Sequence, residues 1–536
     1  MSAAPHLPTI PDADRLGLVR AVGIISFFTM GSRVLGFVRD IVIARMLGAG
    51  LGADAFFVAL KLPNFLRRLF AEGAFSSAFV PVFSDSLHAK EHQNEPQEVA
   101  RTVFTVLLVV LMAVVAVAQL LMPLLISLIA PGFLDEPDKF NLTVDLTRIT
   151  FFYILFISLT ALAGGILNSL GRFAVPAATP MLLNLSLIVG ALWISPHLER
   201  PTMGLALGVF IGGAAQLLLQ WPALVQAGMV PGWRWNPKHP AVKRILLLMG
   251  PAILGVSVAQ VNLLFDLFLA SWLPEGSISY LYYADRLVEF PLGLIGIAMG
   301  TAILPALSAK ASRGDVAGLE ADLDFGLRLI LFINLPATVA LVLLREPLLT
   351  MLFERGAFSA VTTEQTARAL LAYGSGLLAF SAVKVFAPAF YALKDTRTPV
   401  RIAIICMVSN MGLNLLLMFP LQHAGLALAT SLASYLNFVL LVRAYRRKTG
   451  FRFRPGWGHS LRGAFLASAL MGFFLWLGTL GWWSPGLETA TQVMILLPLM
   501  AGGMFIYFGV AHLWGSQELA VFTTALGRRL RRKAAP

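Results

Sequence analysis

The sequence predicts an all-α, polytopic membrane protein of about fourteen transmembrane helices, built as two homologous six-helix lobes followed by two additional C-terminal helices. Three observations predict it. The 536 residues are 57% hydrophobic and only 13% charged, and the apolar residues fall into separate runs of about twenty, the length that spans a ~30 Å hydrocarbon core. Short features recur at one offset: Gly204-Leu205-Ala206-Leu207 returns as Gly425-Leu426-Ala427-Leu428, Pro81 as Pro305, Pro176 as Pro399, Gly132-Phe133 as Ala357-Phe358 and Tyr153 as Tyr373, all 220 to 225 residues apart. Basic residues gather in alternate loops, which sets orientation rather than marking a nucleic-acid partner, despite a formal charge of +13. The period-two alternation of an outer-membrane barrel is absent.

In chain order, residues 1–19 carry Asp12, Asp14 and three prolines, and read as a cytoplasmic N-terminal segment rather than a cleaved signal peptide. Residues 20–228 form the first six-helix lobe, with apolar windows at 20–46, 53–84, 99–129, 143–170, 176–195 and 203–227. A cytoplasmic linker at 229–242 leads to the second lobe, 243–448, with windows at 243–273, 277–308, 322–345, 364–392, 399–420 and 424–445. The two additional helices, 460–483 and 488–514, lie within 449–514, and a basic cytoplasmic tail occupies 515–536. With the N-terminus inside, the inner loops collect Arg172, Arg234, Lys238, Lys243, Arg244, Lys310, Arg313, Lys394, Arg397, Arg401, Arg443, Arg446, Arg447, Lys448, Arg452 and Arg454. The outer loops hold little beyond Lys139, Arg200, Arg345 and Arg355, so both termini are expected in the cytoplasm. Each lobe has an even number of spans, so the repeats share one orientation and are related by an axis along the membrane normal.

Charges inside the first two windows are the candidate functional residues. Arg33, Arg39, Asp40, Arg45, Asp54, Lys61, Arg67, Arg68 and Glu72 interrupt segments that are otherwise apolar. A cation at mid-membrane costs roughly 2.5–3.5 kcal/mol, so five facing lipid would cost on the order of 15 kcal/mol. They must face something wet or anionic. Asp54, Lys61 and Arg68 stand seven apart, with Asn64 and Glu72 close to the same helical stripe, a pattern that can line a cavity. The second lobe keeps Asp266 and the group Asp285, Arg286 and Glu289. Arg68 with Glu72, and Arg286 with Glu289, are spaced to pair within a turn. Arg33, Arg39 and Arg67 have fewer carboxylate neighbours and are better suited to a ligand. Gly36 admits two readings, a helix break that turns Arg33 and Arg39 to one side, or close helix packing.

Other chemistry is thin. Cys406 is the single cysteine, so no internal disulfide can form, and it reads as an apolar helix residue. There is no phosphate-binding glycine loop, HExxH, Cys/His metal spacing or GxSxG elbow, so no cofactor and no metal site is expected. The run Asp135-Glu136-Pro137-Asp138 reads as a solvated turn, and His423 as an interfacial or surface residue. A carrier without its own ATP hydrolysis fits better than an enzyme.

The stretches SRVLGFVRDIVIARMLGAG, ADAFFVALKLPNFLRRLFAEGAFSSAFVP, GPAILGVSVAQVN and YYADRLVEFPLG resemble the MurJ (MviN) lipid II flippase family, within the superfamily of multidrug, oligosaccharidyl-lipid and polysaccharide exporters. The resemblance implies transport of the undecaprenyl-diphosphate-linked peptidoglycan precursor across the bacterial cytoplasmic membrane by alternating access, with lipid II and membrane lipids as partners and a counter-ion as a candidate. It implies that Arg33, Arg39, Asp54, Arg67 and Arg286 belong to a cationic central cavity, the arginines binding substrate. Arg68, in the same matched stretch, is a further substrate-binding candidate, and Asp54, Lys61, Glu72, Asp285 and Glu289 are candidate gating contacts or ion pairs. Two alternatives stay open: a flippase for another polyprenyl-diphosphate-linked glycan, and an ion-coupled drug exporter of the same superfamily.

Overall fold

The computed structural model describes residues 12–88, 95–230 and 232–520, and among them every regular element is helical. Helix α1 is Asp12–Leu47. Helix α2, Leu51–Leu66, runs on through a π-helical stretch, Arg67–Phe75, into α3, Ser76–His88. Next come α4 (Glu95–Ile129), α5 (Pro137–Phe151), α6 (Tyr153–Ser169), α7 (Ala174–Val189) and α8 (Pro201–Gln226). The later helices are α9 (Pro240–Ala270), α10 (Ser277–Ser312), α11 (Val316–Leu343), α12 (Arg345–Phe353), α13 (Ala360–Ser375), α14 (Leu377–Ala392), α15 (Arg397–Thr449), α16 (Trp457–Trp482) and α17 (Thr489–Leu513). Every apolar window of the sequence falls on helix. Among the described residues, nine helices are long and apolar enough to cross a membrane. One of the nine, α15, holds two windows, because Gln422 (φ 51°, ψ −131°), two residues after Pro420, breaks it.

Contacts divide the chain into two compact units. The first runs to Val261, except for the turn Gly48–Gly50, which belongs with the second, Asn262 onward. The division therefore lies inside α9 rather than in the 229–242 linker. Packing explains why: Ala241, Val242 and Ile245 at the start of α9 are buried with Phe79, Phe83 and Val103 of the first unit. In that core Phe75, Phe79 and Phe83, four apart on one helix face, stack at 5.5 and 5.3 Å. In the second unit α16 packs on α11 and α17 on α16, burying Phe332, Met471, Leu475, Leu496 and Leu499 together. The last two helices thus stand against the third window of the second half.

Each unit repeats one local device. After the sixth window the chain turns back and lies along the helix of the third. In the first unit Thr105 Oγ1 donates to the Gly232 carbonyl at 3.2 Å; in the second Arg328 Nη2 donates to the Pro455 carbonyl at 3.4 Å. Donor and acceptor positions are both 223 residues apart, the offset of the sequence repeat. The fourth windows break alike, at Phe152 between α5 and α6 and at Gly376 between α13 and α14. In the second unit this dock is buried: Asp324 accepts from Trp457 Nε1 at 2.6 Å and from the Arg454 amide at 3.1 Å, and pairs with Arg328 at 2.8 Å.

Two expectations need amending. His423 is not a surface residue; it is 2% exposed, its Nε2 lies 2.9 Å from the Gln365 carbonyl, and its ring rests 5.0 Å from that of Tyr280. The break at Gln422 turns it inward. Lys139, assigned to an outer loop, is 1% exposed. Cys406 is buried, as a small apolar helix residue would be.

Candidate functional site

The candidate cationic residues of the first two windows stand on α1 and on the helix that begins at Leu51. Helix α1 is unbroken through Gly36, and a methyl group at Gly36 would lie 3.6 Å from the Asn184 amide, so this glycine packs against α7 and is not a break. Six residues on an ideal helix turn through about 600°, which leaves Arg33 and Arg39 about 120° apart. Arg33 is exposed. Arg39 is mostly covered and donates from Nε (2.9 Å) and Nη2 (2.7 Å) to Asp40 Oδ1, and from Nη1 to Asn184 Oδ1 (2.9 Å). Asn184 in turn donates to the Ser32 carbonyl at 3.0 Å. Arg39 therefore has a carboxylate partner that the sequence reading passed over, its own neighbour, and the two arginines are not gathered by a bend.

Along the next helix, burial falls from one end of the stripe to the other. Asp54 is buried, Lys61 half-buried and Arg68 exposed. Asp54 meets Lys139 Nζ at 3.3 Å, both side chains at most 2% exposed, while the ammonium also lies 3.7 Å from Glu136 and 4.5 Å above the Phe133 ring. The partner of Asp54 in this pair is thus a lysine of α5, 85 residues further along the chain. Arg67 is half-buried, and with Arg68 opens the π-helical stretch. That wider turn shifts the register, so the 3.6-residue stripe does not extend to Glu72. The side chain of Glu72 lies outside the described residues.

In the second unit α10 carries the remaining candidates. Arg286 Nη1 donates to Glu289 Oε2 at 2.6 Å and the guanidinium lies 4.8 Å from the Tyr282 ring. Tyr282, Arg286 and Glu289 thus share one face at spacings of four and three, with Asp285 half-buried beside them. A second polar cluster was missed except for its carboxylate. Asn414 Nδ2 donates to Asp266 Oδ1 at 2.6 Å and to Asn410 Oδ1 at 3.1 Å, and Asn410 lies 3.5 Å from Thr430 Oγ1. Asn410 and Asn414 are buried, and Asn414 Oδ1 has no hydrogen-bond partner among the described residues. The signal was available: two amides four apart in an apolar run. Lys139 and Asn184 gave a weaker one, a single polar residue at the edge of or within an apolar window.

Comparison with known proteins agrees in family and fold. The model of the family described as lipid II flippase MurJ matches residues 43–497. A probable lipid II flippase MurJ of Vibrio cholerae serotype O1 is 44% identical over 508 residues, 93% of this chain and 96% of that protein. The lipid II flippase MurJ of Burkholderia cenocepacia is 38% identical, over 93% and 98%. A solved lipid II flippase MurJ in an inward closed conformation superposes with TM-score 0.75 at 27% identity, covering 91% of this chain and 98% of that one. An inward-facing multidrug resistance MATE family transporter, 16% identical with TM-score 0.63 over 80% and 99%, shares the fold. The chain is accordingly a multi-pass helical membrane protein.

Proposed function

The chain belongs to the MurJ lipid II flippase family, and from that premise we propose that it carries lipid II from the inner to the outer leaflet of the bacterial cytoplasmic membrane. In this reading Arg33, Arg39, Arg67 and Arg286, with Arg68 beside them, receive the diphosphate in a hydrated cavity that opens alternately to each side as the two halves rock. Both termini lie in the cytoplasm.

The observation that carries the reading is the accessibility of cations on membrane-length helices: Arg33 and Arg68 are exposed and Arg286 is 30% exposed. A guanidinium matches phosphate oxygens with paired hydrogen bonds, and an aqueous site spares the sugar-peptide head the loss of its water partners. Asp40 and Glu289, now bound to Arg39 and Arg286, compete with the diphosphate and supply pairs that exchange as substrate enters and leaves. Asp54, Lys61, Glu72 and Asp285 act as gating contacts. The prenyl tail stays in lipid, and an apolar groove of ≈ 380 Å³ between α11 and α16, lined by Leu335, Val339, Leu343, Phe465, Phe473 and Trp476, suits it. The counter-ion reading rests on Asp266, Asn410, Asn414 and Thr430, a cluster of oxygen-bearing side chains with one carboxylate, which suits a hard cation.

The test replaces Arg33 and Arg286 by Ala and follows lipid II on the inner leaflet in cells that depend on the variant. Losing a charge-assisted hydrogen bond of about 1.5–3 kcal/mol slows transport roughly tenfold to a hundredfold. Lysine rescues poorly, because an ammonium cannot make the bidentate contact. Arg446→Gln, in the last turn of α15, leaves transport unchanged. Normal flipping by Arg33→Ala and Arg286→Ala at normal abundance overturns the cationic-cavity reading.

A further inference from the structure

The segment 232–239, which connects the first six windows to α9, is fixed at the end of α4 yet turns two tryptophans outward. Thr105, fully buried, donates to the Gly232 carbonyl and accepts from the Arg234 amide at 2.9 Å. Arg234 then reaches Glu98 at 2.6 Å. The main chain is thus tied to α4 on both sides of Trp233, and in an extended stretch residues 233 and 235 fall on the side opposite Arg234. Trp233 is 74% exposed and Trp235 51%. A soluble loop has no reason to hold two indoles in water, whereas the boundary between head groups and acyl chains favours them.

Charge indicates what lies there. Around the tryptophans stand Arg101, Arg234, Lys238, Lys243 and Arg244, all exposed. Glu98 and Asp85 offset two of these, Arg234 and Arg244. Lys238 and Lys243 meet no carboxylate among the described residues. We propose that this segment is an interfacial anchor for anionic phospholipid head groups, in which Trp233 and Trp235 enter the membrane boundary and Lys238 and Lys243 bind head-group phosphates. The matching segment of the second unit lacks the feature, since glycines, Gly456 and Gly458, stand where the repeat offset of 223 places Trp233 and Trp235.

The test uses the full chain reconstituted in vesicles, with Cys406→Ala as background and Trp235→Cys carrying an environment-sensitive fluorophore. Glu199→Cys, in an exposed turn, is the aqueous control. Expected are a blue-shifted label at 235, protection from iodide, and stronger quenching by spin-labelled phosphatidylglycerol than by spin-labelled phosphatidylcholine. Lys238→Gln and Lys243→Gln should each reduce that preference about fivefold. A label at 235 as iodide-accessible as the control overturns the anchor, and so does burial of the label only on addition of a second protein. Equal quenching by the two lipids, or a preference unchanged in the lysine variants, overturns the head-group assignment.

Discussion

Lys139→Met should destabilise the first unit more than loss of an exposed cation such as Arg33. Asp54 and Lys139 are 3.3 Å apart and almost without solvent contact. At an effective dielectric of about 20, two unit charges at that distance attract by roughly 5 kcal/mol. Desolvation of both ions offsets most of this, so the intact pair contributes little net stability, but removing one partner costs about 3–5 kcal/mol because the other charge stays buried. The ring contact with Phe133 adds about 1 kcal/mol. The assay is the melting midpoint and membrane abundance of Lys139→Met, Asp54→Asn and the double variant. Each single variant should melt well below the parent, and the double variant should lie above the sum of the two losses. Additive losses, or singles that melt with the parent, would refute the buried-pair argument. If Asp54 also gates transport, the double variant stays slow even where its stability recovers.

Gly36→Ala should leave transport and stability close to the parent or slightly raise stability, since α1 is unbroken there and the added methyl makes an ordinary contact; loss of transport would revive the hinge. Asn184→Leu removes the bridge between Ser32 and Arg39 and leaves buried polar groups unmatched, at about 1–3 kcal/mol, and should lower both the melting midpoint and transport. Asp395 accepts from Lys448 at 2.6 Å and caps the start of α15 through Thr398, so its carboxyl is held down at about 2, chiefly by the lysine. A folded-state pKa below the unfolded value contributes stability above about pH 4, and that contribution is lost as pH falls through about 2. Asp395→Asn should therefore flatten the acid limb of a melting-point profile between those limits, and an unchanged limb would count against the Lys448 pair.

Much of the architecture is a one-dimensional property. A bilayer demands about twenty apolar residues per crossing and the internal satisfaction of backbone hydrogen bonds, so each window had to be helical wherever it ended up in space. The repeat offset is likewise written in the chain, and it reappears in the paired docks at Gly232 and Pro455. Arg286 with Glu289 was legible because a helix turn brings spacing of three into contact whatever surrounds it. Contacts between helices were not legible. Asp54 meets Lys139 and Arg39 meets Asn184, 85 and 145 residues away, and no local rule selects those partners over others of like charge or polarity. The unit boundary within α9, the inward turn of His423 and the course of α1 through Gly36 follow from which side chains fill the spaces left by neighbouring helices. Sequence determined how many helices there are candidates for and which bear charge; tertiary packing decided which of those charges are buried against each other and which stay open to a ligand, because burial is a property of the surroundings and not of the residue.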